Sequence, residues 1–307
     1  MDTSFRPASR TGDGLLQITL MGGEARAMIV NSTALVEEAR ATHTTSNVAT
    51  AALGRLLTVS CMMGAMLKGD HDSVTNTVKG DGPLGALVAV AHSDLTVKGY
   101  VDRPRVELPL RESDGKLDVG AAVGKGHLTV VKDLGMREPY VGQVELQSGE
   151  IAMDFTYYFA ASEQQPSLIS LGVLMPEAED AAKYGVLSAG GLLVQPMPGC
   201  SEELLTQLEG RTSLFTDISR KLVEQTPEEL CMTFFKGLEP QIVDRRVPRY
   251  RCDCSVERME RALISIGKQD LQEIISDGHG AQLECHFCNR RYRFSTSELQ
   301  GLLESAQ

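Results

Sequence analysis

The chain has 307 residues, 42% of them hydrophobic, with 29 glycines, no tryptophan and a formal net charge of −11. That length allows one large domain or two to three smaller ones, and the apolar content suffices for a real core. The acidic balance speaks against general nucleic-acid binding, which depends on neutralising phosphates, and the absence of a long unbroken apolar run speaks against a membrane span. Nothing at the start reads as a secretory leader, so a cytoplasmic chain with reduced thiols is expected. Seven cysteines in that setting point to metal or redox use. Residues 1–244 carry 20 basic and 32 acidic side chains while residues 245–307 carry 10 and 9, so the tail is compositionally separate.

Residues 1–14 are polar and expected to be frayed at the start. Residues 15–20 and 25–30 read as strands across a Gly22-Gly23 turn. Asn31-Ser32-Thr33 can cap a helix from 34 to about 42. Val48, Ala52, Leu56, Val59, Met63 and Met66 recur at steps of three and four, one face of a helix over 47–68. Both flanks of that face are apolar too, so this helix is expected to be largely buried, with Cys61, Met62, Met63 and Met66 as core. Strands follow at 73–78, 84–91 and 95–101, with a turn at Gly80-Asp81-Gly82-Pro83. Residues 102–116 read as loop, and 128–132 and 141–146 as a further strand pair. Gly120 to Gly126 superficially resembles a phosphate-binding loop. It lacks the Walker spacing and the Ser or Thr after Lys125, so it is expected to be a turn. A helix over 151–161 points Phe155, Tyr158 and Phe159 inward. Late strands are expected at 168–174 and 192–195, with Ala189-Gly190-Gly191 between them. His43, His71, His92 and His127 are scattered and form no hydrolytic motif. The whole reads as an α+β, strand-rich core domain over 1–198.

Residues 199–244 change character. Helices are expected from Ser201 through Leu204, Leu205 and Leu208, over 214–225, and over 227–236, where Pro227 suits a first turn and Cys231 is buried. Such short helices are marginal alone and must lean on a neighbour. The segment is either an ordinary helical connector or a detachable switch.

The tail, 245–307, begins extended and basic. Arg251-Cys252-Asp253-Cys254 and Cys285-His286-Phe287-Cys288 then face each other across a thirty-residue insert. Two short thiol arms can supply the four corners of one tetrahedral zinc site, so Cys252, Cys254, Cys285 and Cys288 are the expected metal ligands. Burial of the four as small apolar groups fits poorly beside Asp253, His286, Asn289 and Arg290. His286 could replace one thiolate, and His279 belongs to a Gly-rich turn that suits solvent. Ser255 can cap a helix carrying Val256, Met259, Ala262 and Leu263, followed by a helix over 268–276; Leu283 to Glu284 leads into the second thiol pair, Tyr292 to Phe294 leaves it, and Ser295 or Thr296 caps a last short helix. So small a unit has little core, and metal binding should contribute much of its folding energy. Zinc thiolates are also potential targets of oxidants.

Several stretches carry a resemblance over essentially the whole chain. They include Thr50-Ala51-Ala52-Leu53-Gly54-Arg55, Gly64 to Gly69, Gly82-Pro83-Leu84-Gly85, Val131-Lys132-Asp133-Leu134-Gly135 and Gly142-Gln143-Val144. Further ones are Tyr157-Tyr158 with Ser162-Glu163-Gln164, Ala189-Gly190-Gly191, Gln195-Pro196-Met197-Pro198-Gly199 and the two cysteine arms with Arg258 and Phe287. In these the chain resembles the bacterial redox-regulated holdases, the heat-shock protein 33 family or 33 kDa chaperonins. The resemblance implies an ATP-independent chaperone that binds unfolding client proteins, and no enzyme. It implies an inactive, reduced form with one zinc per chain, and an active homodimer formed on oxidation. It further implies that Cys252, Cys254, Cys285 and Cys288 are both ligands and redox centre, that disulfides Cys252–Cys254 and Cys285–Cys288 form as zinc leaves, and that 199–244 is a metastable linker. Cys61, Cys200 and Cys231 lie outside that motif.

Two readings of other classes stand beside it. Arg245, Arg246, Arg249, Arg251, Arg290, Arg291 and Arg293, with Tyr250, Tyr292 and Phe294 interleaved, could form a basic, aromatic nucleic-acid patch on a zinc-ribbon-like tail. The tail's near-neutral charge argues against it. A thiol–disulfide oxidoreductase using Cys285 and Cys288 lacks the βαβ context of such enzymes.

Overall fold

The structure, a computed structural model, describes residues 12–176 and 185–305. The start of the chain, expected to be frayed, lies outside the described residues up to position 11. The polypeptide divides into two compact units, Met1–Tyr250 and Arg251–Gln307.

In the first unit β1 (Gly14–Leu20) and β2 (Ala25–Asn31) form a hairpin. Gly22 and Gly23 turn it with φ of +66° and +106°, backbone that a side chain would disfavour. α1 (Thr33–His43) follows. Its first amides are satisfied from a distance: Ala34 and Leu35 each donate to the Asp13 carboxylate at 2.7 Å, while the Ser32 side chain makes no capping bond. Next come α2 (Asn47–Ala65), β3 (Ser73–Gly80), β4 (Ala86–His92), β5 (Thr96–Val101), α3 (Val119–Val123), β6 (Gly126–Asp133), β7 (Tyr140–Glu145), α4 (Ala152–Ala161), β8 (Leu168–Leu174) and β9 (Ser188–Pro196). The unit ends with α5 (Glu202–Glu209), α6 (Ile218–Glu224), α7 (Pro227–Phe234), β10 (Gln241–Arg246) and β11 (Arg249–Tyr250). The α+β expectation holds.

The strands make two sheets, in the orders β10-β1-β2-β9-β8 and β11-β5-β4-β3-β6-β7. All pairs are antiparallel except β11 with β5. α2 packs against β4 and β5 of one sheet and β8 and β9 of the other. That explains why it is apolar all round: every residue but Asn47 and Arg55 is buried. It is the one described helix long and apolar enough to cross a membrane, and it lies inside the core instead.

The five-stranded sheet is apolar on both faces, by strict alternation. Leu15, Met28, Val30 and Leu193 face the α2 core, while Leu16, Ile18, Leu20, Ala25, Ala27, Ile29, Leu192 and Val194 face the other way. One-residue steps along a strand reverse the face, so each strand feeds two cores. The second core is completed by the segment 199–244, whose Leu204, Leu208, Phe215, Ile218, Leu222, Leu230, Phe234, Phe235 and Leu238 are buried on that face.

Three elements differ from the sequence reading. Ala189-Gly190-Gly191, expected between strands, lies within β9. A Cβ on Gly190 would come within 2.2 Å of Leu222 in α6, so the glycine serves close approach and not a turn. The run 120–126, expected as a turn, is partly the short helix α3, capped by Asp118, which accepts from the Ala121 amide at 2.9 Å. Its last glycine packs against backbone: a Cβ at Gly126 would lie 2.0 Å from the Lys79 carbonyl oxygen, so no cradle for a phosphate exists there. The helix expected over 214–225 is broken into a 3-10 turn, Thr212–Phe215, and α6, with Asp217 at φ +52° between them. The break lets Phe215 turn inward beside Ile218. The basic run 245–250 pairs with the first unit: Arg245 and Arg246 lie opposite Leu16 and Leu15, and Arg249 and Tyr250 opposite Thr96 and Val97.

α6 also sits on Gly172 of β8, where an added Cβ would meet the Ser219 Oγ at 2.6 Å and its Cβ at 2.9 Å. Gly172→Ala should therefore loosen α6 while sparing the α2 core, at an overpacking cost of about 1–3 kcal/mol. Deuterium uptake over 216–224 should rise in that variant, with 47–65 unchanged; unchanged uptake over 216–224 would contradict the close docking.

Candidate metal centre

The second unit is built from α8 (Val256–Ser265), α9 (Lys268–Ser276), the hairpin β12 (Ala281–Glu284) and β13 (Arg291–Phe294), and α10 (Thr296–Ser305). Ser255 caps α8 by accepting from the Arg258 amide at 3.3 Å. Ser295 caps α10 by accepting from the Glu298 amide at 3.3 Å, while the Glu298 carboxylate accepts from the Ser295 amide at 2.7 Å. These local bonds fix the first cysteine arm against α8 and the second at the tip of the hairpin. There the Cys285 carbonyl accepts from the Cys288 amide at 3.2 Å and the Asn289 amide at 2.7 Å, and the Cys285 amide donates to Arg290 at 2.9 Å. The result is a tight knuckle that points two sulfurs the same way.

The four expected ligands converge. The Cys252 and Cys285 sulfurs are 3.6 Å apart, those of Cys254 and Cys288 are 3.3 Å apart, and all four lie within 4.8 Å of one another. A tetrahedron of zinc–sulfur bonds of ~2.3 Å has edges of ~3.8 Å, so the cluster has the size zinc requires. The donor set is four sulfurs, without an imidazole from His286 or His279. Among the described residues this is the only such group of His, Cys, Asp or Glu side chains.

The electrostatics around the sulfurs are uneven. Burial by itself would raise the Cys254 thiol. Hydrogen bonds from Tyr292, whose Oη donates at 3.0 Å, and from the neighbouring thiols outweigh that and draw it down to about 7. Cys252 and Cys288 are pushed up, chiefly by burial. A negative charge on the cluster is thus best held at Cys254. The sequence reading missed this role of Tyr292; its only signal is an aromatic residue in the strand that leaves the second arm. Arg258 pairs with the Asp253 carboxylate between the first two cysteines, bracing the tight Cys-x-Cys arm.

The other three cysteines are elsewhere. Cys61 in α2 is fully buried and pushed up to about 12, and Cys231 in α7 is pushed up to about 11, both mainly by burial. Such thiols are poor nucleophiles at neutral pH. Cys200 is half-buried at the start of α5, beyond the centre.

The aromatic side chains needed for a nucleic-acid platform are engaged inside the protein. Tyr292 and Phe294 belong to the small core of the second unit, and the Tyr250 hydroxyl donates to the Gly99 carbonyl at 2.9 Å. Arg291 pairs with Glu284 at 2.9 Å. Cys285 and Cys288 lie in a hairpin knuckle, not at the N-terminus of a helix after a strand.

Comparison with known proteins gives a consistent result. The sequence model of the family described as Hsp33 protein matches residues 13–295. The chain belongs to the Hsp33 family. A 33 kDa chaperonin of Ruminiclostridium cellulolyticum is 48% identical over 294 residues, covering 95% of this chain and 98% of that protein. One of Alkaliphilus metalliredigens is 45% identical over 293 residues, covering 94% and 98%. The crystal structure of the 33 kDa chaperonin, or heat shock protein 33 homolog, of Thermotoga maritima superposes with a TM-score of 0.84 at 37% identity, over 96% of this chain and 99% of that one. Membership of the Hsp33 family makes this protein a chaperone associated with stress, a binder of unfolded client proteins. Its four-cysteine cluster is suited to a metal ion.

Proposed function

We propose that this protein is a redox-regulated, ATP-independent holdase that binds unfolding and oxidatively damaged proteins and prevents their aggregation. It is inactive while reduced and metal-bound and active once oxidised. It acts in the cytoplasm, works as a homodimer when active, and has no catalytic residues. Residues 1–198 are the core domain, 199–244 the metastable linker and 245–307 the redox-switch domain.

The observation that carries this reading is the cover on the five-stranded sheet. Eight apolar side chains from β1, β2 and β9 form one continuous face. The helices over it have eight, seven and eight residues, too short to persist alone. Where the cover leaves, a broad apolar surface is uncovered, which is what client capture needs and what a resting protein must hide. The sites that hold the client are therefore Leu16, Ile18, Leu20, Ile29, Leu192 and Val194.

Cys252, Cys254, Cys285 and Cys288 would hold one zinc ion, and the bound ion supplies a folding template for a unit with only six buried apolar side chains. Oxidation by peroxide removes the ligands. In each arm one sulfur attacks a peroxide oxygen, the O–O bond breaks, and a sulfenic acid and water form. The second sulfur then displaces the sulfenic hydroxyl as water, giving the disulfide. Four thiols and two peroxides yield two disulfides and four waters, and a disulfide no longer offers thiolate ligands.

All four sulfurs lie within 4.8 Å in the resting geometry, so distance does not select the pairing. Loop closure does once the unit loosens, because one- and two-residue separations close at far lower entropic cost than those above thirty. Peptide mapping after peroxide should return Cys252–Cys254 and Cys285–Cys288; a dominant Cys252–Cys285 link would contradict it.

The test of the function follows client aggregation and zinc release together, in reduced protein and in protein given peroxide under mild heat. Suppression only after oxidation, with about one zinc lost per chain, is expected. Equal suppression in both states would remove the redox control, and none in either would sink the holdase reading.

A further inference from the structure

The linker runs into a strand, β10, that closes one edge of the same sheet. β10 pairs with β1 at Leu15↔Arg246, Leu16↔Arg245, Gln17↔Asp244, Ile18↔Ile242 and Thr19↔Gln241, with a bulge between Gln17 and Ile18. It is attached directly to the linker: Leu238 ends the linker's buried set, and its carbonyl accepts from the Met21 amide at 3.0 Å.

β10 is a poor occupant of that edge. Its sequence is Gln241-Ile242-Val243-Asp244-Arg245-Arg246. Directly paired residues share a face of an antiparallel sheet, so Ile242 lies over the apolar face beside Ile18, and Arg245 lies there beside Leu16. Only Ile242 joins the apolar cluster. Arg245 reaches instead for Glu228 at 3.6 Å, with both side chains largely exposed, a pairing of small worth. Val243, at the bulge, is 58% exposed. β1 is the opposite: Leu15, Leu16, Ile18 and Leu20 are all at most 3% exposed. A well-formed apolar strand is thus sealed by a short, bulged and charged one.

We infer that the edge of β1 is itself a client-binding site, at which an extended apolar segment of an unfolding protein adds antiparallel to β1 in place of β10. A sheet edge offers a row of backbone donors and acceptors to any extended chain. A segment with apolar residues opposite both Leu16 and Ile18 buries more apolar surface than Ile242 and Arg245 do, without the bulge. Recognition is of backbone and alternation, so it tolerates many sequences. Folded proteins, whose strands are already paired, are excluded. The inference rests on the holdase reading and adds to it a binding mode: the face recognises apolar side chains and the edge recognises extended backbone.

The experiment uses the full chain and, as probe, a reduced and carboxymethylated protein that cannot refold. Deuterium uptake over 14–20 is followed in the reduced, metal-loaded protein, after oxidation, and after oxidation with saturating probe. The segment should be protected at first. Roughly half its amides should exchange once β10 has left, because alternate amides of an antiparallel strand face each neighbour. They should be protected again with the probe bound. Uptake over 25–31, in the interior strand β2, should stay low throughout. Protection over 14–20 that survives oxidation, or that fails to return while the probe is bound, overturns the inference and leaves the holdase reading intact. An oxidised protein that does not bind the probe at all refutes the holdase reading instead. A second arm uses an alternating valine–threonine octapeptide and its counterpart methylated on alternate amide nitrogens. The methylated peptide should compete for the probe at least about tenfold less well, a difference of ~1.4 kcal/mol; equal competition overturns the inference.

Discussion

Cys254→Ser should leave the second unit without metal and without a stable fold. The substitution removes the sulfur that Tyr292 hydrogen-bonds at 3.0 Å and one of the four corners of the cluster. Structural zinc contributes on the order of 10–16 kcal/mol to small domains at neutral pH. The apolar core it would have to be replaced by is Leu263, Leu271, Cys285, Tyr292, Phe294 and Leu299, far too little for a unit of this size. Zinc content should fall from about one per chain to near zero, and residues 251–307 should become protease-sensitive while 12–176 stay resistant. A variant whose second unit remains as resistant as the parent would show that the apolar core carries the fold without the ion. On the proposed mechanism the variant should also suppress aggregation before any oxidant is added.

Phe234→Ala tests the other half of the switch. Phe215, Phe234 and Phe235 form a trio within the linker, with ring centroids 5.4, 6.0 and 6.4 Å apart, two of the contacts edge-to-face. All three are at most 1% exposed. Removing a buried phenylalanine costs about 3–5 kcal/mol, and docking of three short helices has little stability to spare. The population of undocked linker should rise by roughly two to three orders of magnitude, at 1.4 kcal/mol per factor of ten. Reduced, metal-loaded Phe234→Ala should therefore suppress client aggregation, with its zinc still bound. Phe155, in the α2 core, offers the contrast: Phe155→Ala should destabilise the core domain without that gain. A Phe234→Ala protein that needs peroxide as much as the parent does would separate linker docking from activity.

What could be read from the chain alone was whatever is decided within a few residues. The two thiol arms are local chemistry, and the four cysteines their spacing singles out, Cys252, Cys254, Cys285 and Cys288, have sulfurs within 4.8 Å of one another. Helix starts are local too. Ser201 and Ser255 cap as expected, and Thr226 with Glu229 closes a capping box ahead of Pro227, with bonds of 2.8 and 3.1 Å. The apolar pattern of 47–68 announced a largely buried helix, and the helix observed, 47–65, is buried because it lies between two layers.

The tertiary structure decided the rest. Gly190 and Gly191 carry turn-like residue types, yet they lie in β9, because what selects glycine there is the approach of Leu222 and Leu171 from other elements. The break at Asp217 follows from the inward turn of Phe215, which no capping rule describes. The role of Asp13 as the acceptor for α1 depends on a strand entry twenty-one residues away from the amide it serves. Most of all, the run 243–250 reads in the sequence only as extended and basic, and the pairing of β10 and β11 with β1 and β5 exists only because both sheets leave an edge beside them. Backbone pairing carries no side-chain signature, so a strand's partner is set by topology, and it is the topology that puts a weak strand over an apolar edge.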